Sequence, residues 1–372
     1  MGHSTAPTYA TEIVLPGKVE PAGLQVTTRE LPSPPPGQVV LALAATGVSF
    51  AEQQMRRGKY FDQPPFPFVP GYDVVGTVTA TGQGVDPDLV GRRFAAVTKV
   101  GGWASALLLD AADLVAVPDG VTATAAETVL VNGITAWQML HRTAAVRPGG
   151  TIVVLGANGG VGSTLVQLAR HHGVTVIGTA APRHHPAVRE LGAIPVDYRD
   201  PQMYRRISEI APDGVDAVFD HVGGAGVVES WRLLRRGGTL VSYGTASTKD
   251  IDGNSQLPVL KLFARLTLWN YLPNGKNAHF YNFWAGKRRL DTFRSRLRDD
   301  LTQVLRLVAD GVITPQIAAE FPLSQAGSHW HWPNPAPSPG RSSSYPTHSP
   351  TETATTTRPH TPDPHRDSGD TA

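Results

Sequence analysis

The chain of 372 residues contains no cysteine. That absence excludes disulfides, a thiol nucleophile and any zinc site built on thiolates. Long apolar runs are also missing. The longest, at 39–45, 107–109 and 152–155, fall far short of the roughly 20 residues that span a bilayer. The opening Met-Gly-His-Ser-Thr has no basic stretch followed by an apolar one, so no signal peptide is expected and a cytoplasmic location is the default. Charge of one sign is lacking too: 33 Lys and Arg stand against 31 Asp and Glu, with no bias toward polyanions. What is present is 41% hydrophobic residues on a chain longer than one usual domain, which points to two packed units.

The chain is organised around Thr151-Ile-Val-Val-Leu-Gly156-Ala-Asn158-Gly159-Gly160-Val161-Gly162. A short apolar strand is broken by glycines and followed by an amphipathic helix with Val161, Leu165, Leu168 and Ala169 on one side. Strand, glycine turn and helix N-terminus together form a phosphate cradle, where free N–H groups and the helix dipole meet an anion. The spacing departs from a strict G-x-G-x-x-G pattern, and an ordinary glycine turn is the competing reading.

Upstream, short apolar runs at 12–15, 24–28, 38–45, 74–79, 94–97, 104–109 and 114–117 alternate with Pro/Gly turns, a pattern of a β barrel or sandwich. One helix at 49–57 interrupts it, ending at Gly58. A helix starts at Thr122 and runs through Leu140; from Gly150 strands and helices alternate, implying a doubly wound parallel sheet. A further helix at 290–310 carries Arg294, Arg296, Arg298, Asp299 and Asp300, read as its solvated face. The chain then returns to a β region at 313–323. Residues 327–372 hold nine of the 32 prolines and no Leu, Ile, Val, Met or Phe, a composition expected to be disordered.

Six stretches in order resemble the medium-chain dehydrogenase/reductase superfamily, nearest its zinc-free quinone oxidoreductase-like branch. They are Gly47-Val-Ser-Phe-Ala-Glu-Gln-Gln-Met-Arg-Arg-Gly-Lys-Tyr60, Pro70-Gly-Tyr-Asp-Val-Val-Gly76, Asn132-Gly-Ile-Thr-Ala-Trp137, the 156–162 turn, Glu190-Leu-Gly-Ala193 and Asp220-His-Val-Gly-Gly224. The resemblance implies an α/β chain. A GroES-like β-rich catalytic domain (10–126, completed by 271–326) would flank an inserted Rossmann domain with a doubly wound parallel sheet (127–270). A homodimer with its active site in the cleft is the usual arrangement. Zinc members place a Cys in the stretch equivalent to 47–51 and a His after the Pro-Gly pair. Here those places hold Gly-Val-Ser-Phe-Ala and Tyr72, so no metal site is expected.

NAD enzymes end the second strand with a carboxylate for the ribose hydroxyl. Here Thr179 is followed by Ala-Ala-Pro-Arg183-His-His185, with no carboxylate. Arg183 matches the place where the family's NADPH enzymes keep a cation, and Tyr198 matches an adenosine-phosphate contact. NADPH is therefore the expected cofactor; His184 and His185 read as surface residues. Tyr60 is the first candidate proton donor, against a role only in lining the pocket, and Ser49 and Asn132 are candidate contacts near the nicotinamide. Thr135 matches a family position beside the cofactor; His221 follows the fourth strand, as a cofactor neighbour or a satisfied core histidine. Phe50, Tyr60, Phe61, Phe66, Trp269 and Tyr271 could form an aromatic wall for a flat apolar or aromatic carbonyl substrate. The expected reaction is hydride delivery to a quinone or an α,β-unsaturated carbonyl, without nucleic-acid or membrane partners. A non-catalytic NADPH-binding protein is the alternative.

Members of this branch end in a helix and a strand, and this chain departs from them after Ala326. Back-translating 327–346 with GC-rich codons and reading from the third base gives QPLALAESRTVAGKVVLIP, a helix, a Gly-Lys turn and a strand. Residues 327–372 are thus expected to arise from a shifted reading frame, either in the gene or in its recorded sequence, with an inactive product as one consequence of the former.

Overall fold

The short apolar runs of the N-terminal third fold as antiparallel strands, because each presents alternate residues to one core. The computed structural model describes residues 8–60, 62–244, 256–329 and 341–345. β1 (Thr8–Val14) and β2 (Gln25–Leu31) form a hairpin. β3 (Gln38–Val48), β4 (Asp73–Thr81), β5 (Arg93–Val97), β6 (Ala106–Asp110) and β7 (Val115–Ala116) build most of a second, seven-stranded sheet. Between β3 and β4 lies α1 (Phe50–Arg56), capped by Ser49 as the S-x-x-E pattern of Ser49 and Glu52 specifies. Gly58, at φ 65°, ends it as expected.

α2 (Ala123–Trp137) leads into a second unit. There follow β8 (Thr151–Val154), α3 (Gly160–His171), β9 (Thr175–Ala180), α4 (His185–Glu190), β10 (Ile194–Asp197), α5 (Met203–Ile210), β11 (Val215–Asp220), α6 (Val227–Arg232) and β12 (Leu234–Ser242). After α7 (Gln256–Trp269) comes β13 (Asn277–Phe280), and the six strands pair in parallel in the order β10-β9-β8-β11-β12-β13. Chain order reverses between β8 and β11, which opens a crevice at their carboxyl ends. The apolar run of β8 is buried on both faces: Ile152 and Val154 enter one core, Val153 and Leu155 the other. α7 and β13 had no counterpart in the sequence pattern. The core-facing residues of α7, Leu262, Leu266 and Trp269, do follow helical spacing.

α8 (Leu290–Ala309) packs on α2, and β14 (Ile317–Pro322) returns to the seven-stranded sheet. The charged face of α8 is not wholly solvated. Asp300 is 1% exposed, and its carboxylate accepts from Arg142 at 2.6 Å and Gln138 at 2.7 Å. Arg294 pairs with Asp110 and Asp113. The helix expected to reach Leu140 is α-helical only to Trp137 and widens into a π-helical turn at Gln138–Thr143, the segment that carries both partners of Asp300.

Of the segment after Ala326, the described part is α9 (Ala326–His329) and β15 (Arg341–Tyr345). β15 lies inside the sheet, between β14 and β3. The remainder of the expected disordered tail lies outside the described residues. Among the described residues no helix is long and apolar enough to cross a membrane.

Candidate cofactor cradle and active site

The glycine turn is fixed by its own backbone and by β9. Gly156 adopts φ 70°, which turns the chain out of the strand. Its N–H donates to Thr179 Oγ1 at 3.0 Å, and Ala157 N–H to the Thr179 carbonyl at 2.9 Å. Gly159 caps α3, and Gly162 lies so close to the turn that a Cβ there would sit 2.2 Å from the Gly156 carbonyl oxygen. Asn158 and Val161 are half-buried, and Val161 packs on the core. The first N–H groups of α3 have no partner within the helix, as in any helix, and open onto the turn.

Two residues from other elements close on this turn, Asn132 and His221. Asn132 on α2 donates from Nδ2 to the Thr128 carbonyl at 2.8 Å and lies against Gly160, where a Cβ would approach Nδ2 to 2.6 Å. Thr135, one turn on, is buried beside Tyr281, whose phenol donates to Gln138 at 2.9 Å. His221 lies over Gly156, with Nδ1 3.0 Å from the Leu155 carbonyl. The carbonyl only accepts, so Nδ1 carries the hydrogen and Nε2 is the acceptor nitrogen. Burial holds His221 below the usual imidazole range, against the pull of Asp220 and of that carbonyl.

At the far end of β9, Arg183 is exposed and donates from Nε to His184 Nε2 at 3.1 Å. His184 is 8% exposed, which corrects its reading as a surface residue. Burial, then Arg183 and His185, hold it below the ordinary imidazole range, so it stays a neutral acceptor. His185 donates to the Ala180 carbonyl at 3.1 Å, half-buried. Tyr198 is 51% exposed under the Arg199 guanidinium.

A second polar group lies where β3 ends and β4 begins. Ser49 accepts from Ala51 N–H at 3.1 Å and from the Tyr72 phenol at 2.8 Å, and donates to Glu52. Tyr72 is set by the turn before it: Gly71, at φ 89°, lies against the fully buried Trp103, whose Nε1 donates to the Gly47 carbonyl at 2.9 Å. Tyr60 is half-buried nearby. Burial first, then the charges of Glu52 and Asp62, push its phenol up to about 12. The helix that carries Ser49 and Glu52 was expected from sequence, but their pairing as a capping box and their joining to Tyr72 across the sheet were not.

The aromatic wall does not form. Trp269 stacks on Trp231 at 4.8 Å in the other core, Tyr271 is 81% and Phe50 53% exposed, and Phe66 stacks on Phe68. Phe61 lies outside the described residues.

Comparison with known proteins agrees with this architecture. The model of the alcohol dehydrogenase GroES-like domain matches residues 35–132, and that of the zinc-binding dehydrogenase matches residues 160–309. The chain is 34% identical over 232 residues to a probable quinone oxidoreductase of Schizosaccharomyces pombe, covering 60% of this chain and 68% of that one. It is 36% identical over 233 residues to the synaptic vesicle membrane protein VAT-1 homolog of Homo sapiens. That match covers 62% of this chain and spans 59% of the relative's length. A mycobacterial protein solved in complex with NADPH superposes with a TM-score of 0.75 at 26% identity, over 91% of this chain and 100% of that one.

Proposed function

The chain belongs to the medium-chain dehydrogenase/reductase superfamily, on its quinone oxidoreductase-like side, and from that membership we propose that it is an NADPH-dependent oxidoreductase acting without zinc. Its substrate would be a quinone or an α,β-unsaturated carbonyl compound. The observation that carries the cofactor choice is the end of β9, where Arg183 stands on a buried neutral acceptor and the first carboxylate is Glu190. A 2′-phosphate bears nearly two negative charges, so a cation in place of a carboxylate favours it over a ribose hydroxyl.

Bound NADPH supplies a hydride. The residues of the chain hold and aim it. The turn at Gly156, Asn158, Gly159, Gly160, Val161 and Gly162 would take the pyrophosphate, Arg183 the 2′-phosphate and Tyr198 the adenosine end. Thr179 locks the turn, and Asn132, Thr135 and His221 would border the nicotinamide half. Reduction leaves negative charge on the substrate oxygen, which needs donors from the Ser49, Tyr60 and Tyr72 group. The zinc-free part of this reading is supported by the donor set that the chain offers. It has no cysteine, and among the described residues no three His, Asp or Glu lie close enough to share an ion.

The division into 10–126 with 271–326 and an inserted 127–270, a cytoplasmic setting and a homodimer belong to the same proposal. Among the described residues β13 is an edge strand, and with the exposed Leu260, Leu268 and Leu272 of the neighbouring segment it supports the dimer. Sedimentation of the purified chain tests it.

The deciding assay follows NADPH oxidation against quinones, 2-alkenals and alcohols. Turnover of quinones or alkenals is expected. Tight NADPH binding with no turnover would establish the non-catalytic reading instead, and zinc-dependent alcohol oxidation would overturn the proposal.

A further inference from the structure

At the end of the β3–β4 ladder, Ser49 and Tyr72 belong to a hydrogen-bonded chain that continues beyond the donors of the site to a buried carboxyl group. Ser49 follows β3 directly and Tyr72 directly precedes β4. Thr46 faces Val74 in the antiparallel register, so both residues leave the sheet at the same end. The Tyr72 phenol is 2.8 Å from Ser49 Oγ, Ser49 Oγ bonds Glu52 Oε2, and Glu52 is fully buried. α2 packs on β3 and β4 and presents Asn132 to Gly160 of the glycine turn, which ties this end of the sheet to the cradle. A carboxyl group withdrawn from solvent is thus connected through one hydroxyl to a half-buried phenol.

Resting on the oxidoreductase reading, we propose that Tyr72 is the proton donor of the reduction and that Ser49 and Glu52 form the relay that refills it. Tyr60, the donor expected from sequence, is held harder to deprotonate by burial first and then by the Glu52 and Asp62 charges. The relay gives Tyr72 a replacement proton as its own leaves. In the structure the hydrogens point from Tyr72 to Ser49 to Glu52. Rotating each hydroxyl about its C–O bond and placing a proton on Glu52 reverses the chain without moving an oxygen.

The step balances as follows. Hydride from C4 of NADPH bonds to the enone β-carbon, and the C=C electron pair moves toward the α-carbon and carbonyl oxygen. The Tyr72 O–H bond breaks as its proton joins the α-carbon. Tyr72 takes the hydroxyl proton of Ser49, Ser49 takes the carboxyl proton of Glu52, and one hydrated proton from solvent restores Glu52, so the sum is NADPH, enone and one proton in, NADP+ and the saturated carbonyl out. NADPH loses two electrons and the enone gains them.

Three variants separate this from a purely structural role. Tyr72→Phe removes the donor. Ser49→Asn keeps a helix N-cap but cuts the hydroxyl relay, and Ser49→Thr keeps both. In NADPH-driven enone reduction, Tyr72→Phe and Ser49→Asn should lower kcat about a hundredfold with KM nearly unchanged, whereas Ser49→Thr should retain it. A second readout needs no cofactor. With tyrosine labelled at 13Cζ, the resonance missing in Tyr72→Phe should move in Ser49→Asn and stay in place in Ser49→Thr. Unchanged kcat in Tyr72→Phe or Ser49→Asn, or an unmoved resonance in Ser49→Asn, overturns the relay alone. A wild-type chain that reduces no acceptor overturns the oxidoreductase reading and the donor role with it.

Discussion

Arg183 Nε and His184 Nε2 lie 3.1 Å apart, a guanidinium donating to the buried imidazole next to it in sequence. The bond aligns the one cation at the β9 end that the cofactor reading uses. Arg183→Ala should therefore weaken NADPH binding about tenfold to a hundredfold, the value of one or two charge-assisted hydrogen bonds, and leave NADH binding nearly unchanged. His184→Leu should cost NADPH a few-fold through loss of alignment. Fluorescence titration with both nucleotides measures this; an unchanged NADPH/NADH ratio in Arg183→Ala would remove Arg183 from the site.

The glycine turn should divide fold from function. At Gly162 a new Cβ meets the Gly156 carbonyl oxygen at 2.2 Å, a backbone atom that cannot step aside, so Gly162→Ala should lose about 1–3 kcal/mol of stability. At Gly159 the nearest atom is 3.3 Å away. Gly159→Ala should fold almost normally and lose NADPH affinity, because the methyl group stands at the N-cap of α3. Urea unfolding and nucleotide titration of the two variants test the split, and equal effects on both quantities in both variants would count against it.

Asp300 joins α8 to the π-helical turn after α2. Removing its carboxylate leaves Arg142 and Gln138 without an acceptor. Arg142 is half exposed and can rehydrate, so Asp300→Ala should cost about 1–3 kcal/mol in urea unfolding. A loss below a few tenths would mean that the network is incidental.

His141 gives the fold an acid-sensitive point. Its ring lies 4.3 Å from Trp137 and 4.9 Å from His172. Burial, then His172, lowers it to about 4, against the raising charge of Asp300. In the unfolded chain it titrates near its ordinary value of about 6.5. Between these values the unfolded chain holds the proton and the folded chain does not, so this contribution is complete above about pH 6.5 and is lost as pH falls toward about 4. Urea midpoints at about pH 7 and about pH 4.5 should differ less in His141→Gln than in the wild type. An equal difference would assign the acid sensitivity elsewhere.

Sequencing the gene across codons 326–346 should reveal a displaced frame. β15 lies between two strands of one sheet, yet Arg-Ser-Ser-Ser-Tyr has the composition of a loop. Restoring Val-Val-Leu-Ile there should raise the thermal midpoint, since a strand inside a sheet can be worth several kcal/mol, much of a domain's stability. Unambiguous, unshifted codons would end the idea.

The sequence by itself determined the elements whose period and punctuation are local. The continuous apolar run of β8, the glycines after it and the helix that ends at Gly58 each act within one turn or one strand, so composition and spacing were enough. Absences counted equally: without cysteine no thiolate zinc site can exist, whatever the fold. Tertiary structure decided what depends on residues far apart in the chain. Asp300 reads as a solvated charge until α8 meets Arg142 across 158 residues. His184 reads as surface until β9 and α4 pack around it, and the expected aromatic wall scatters because Trp269 finds Trp231 in the other core. Tyr72 reads as a replaced metal ligand until antiparallel pairing of β3 with β4 sets its phenol on Ser49, 23 positions away. A hydrogen bond acts over about 3 Å, and only the folded backbone decides which distant side chains come within that reach.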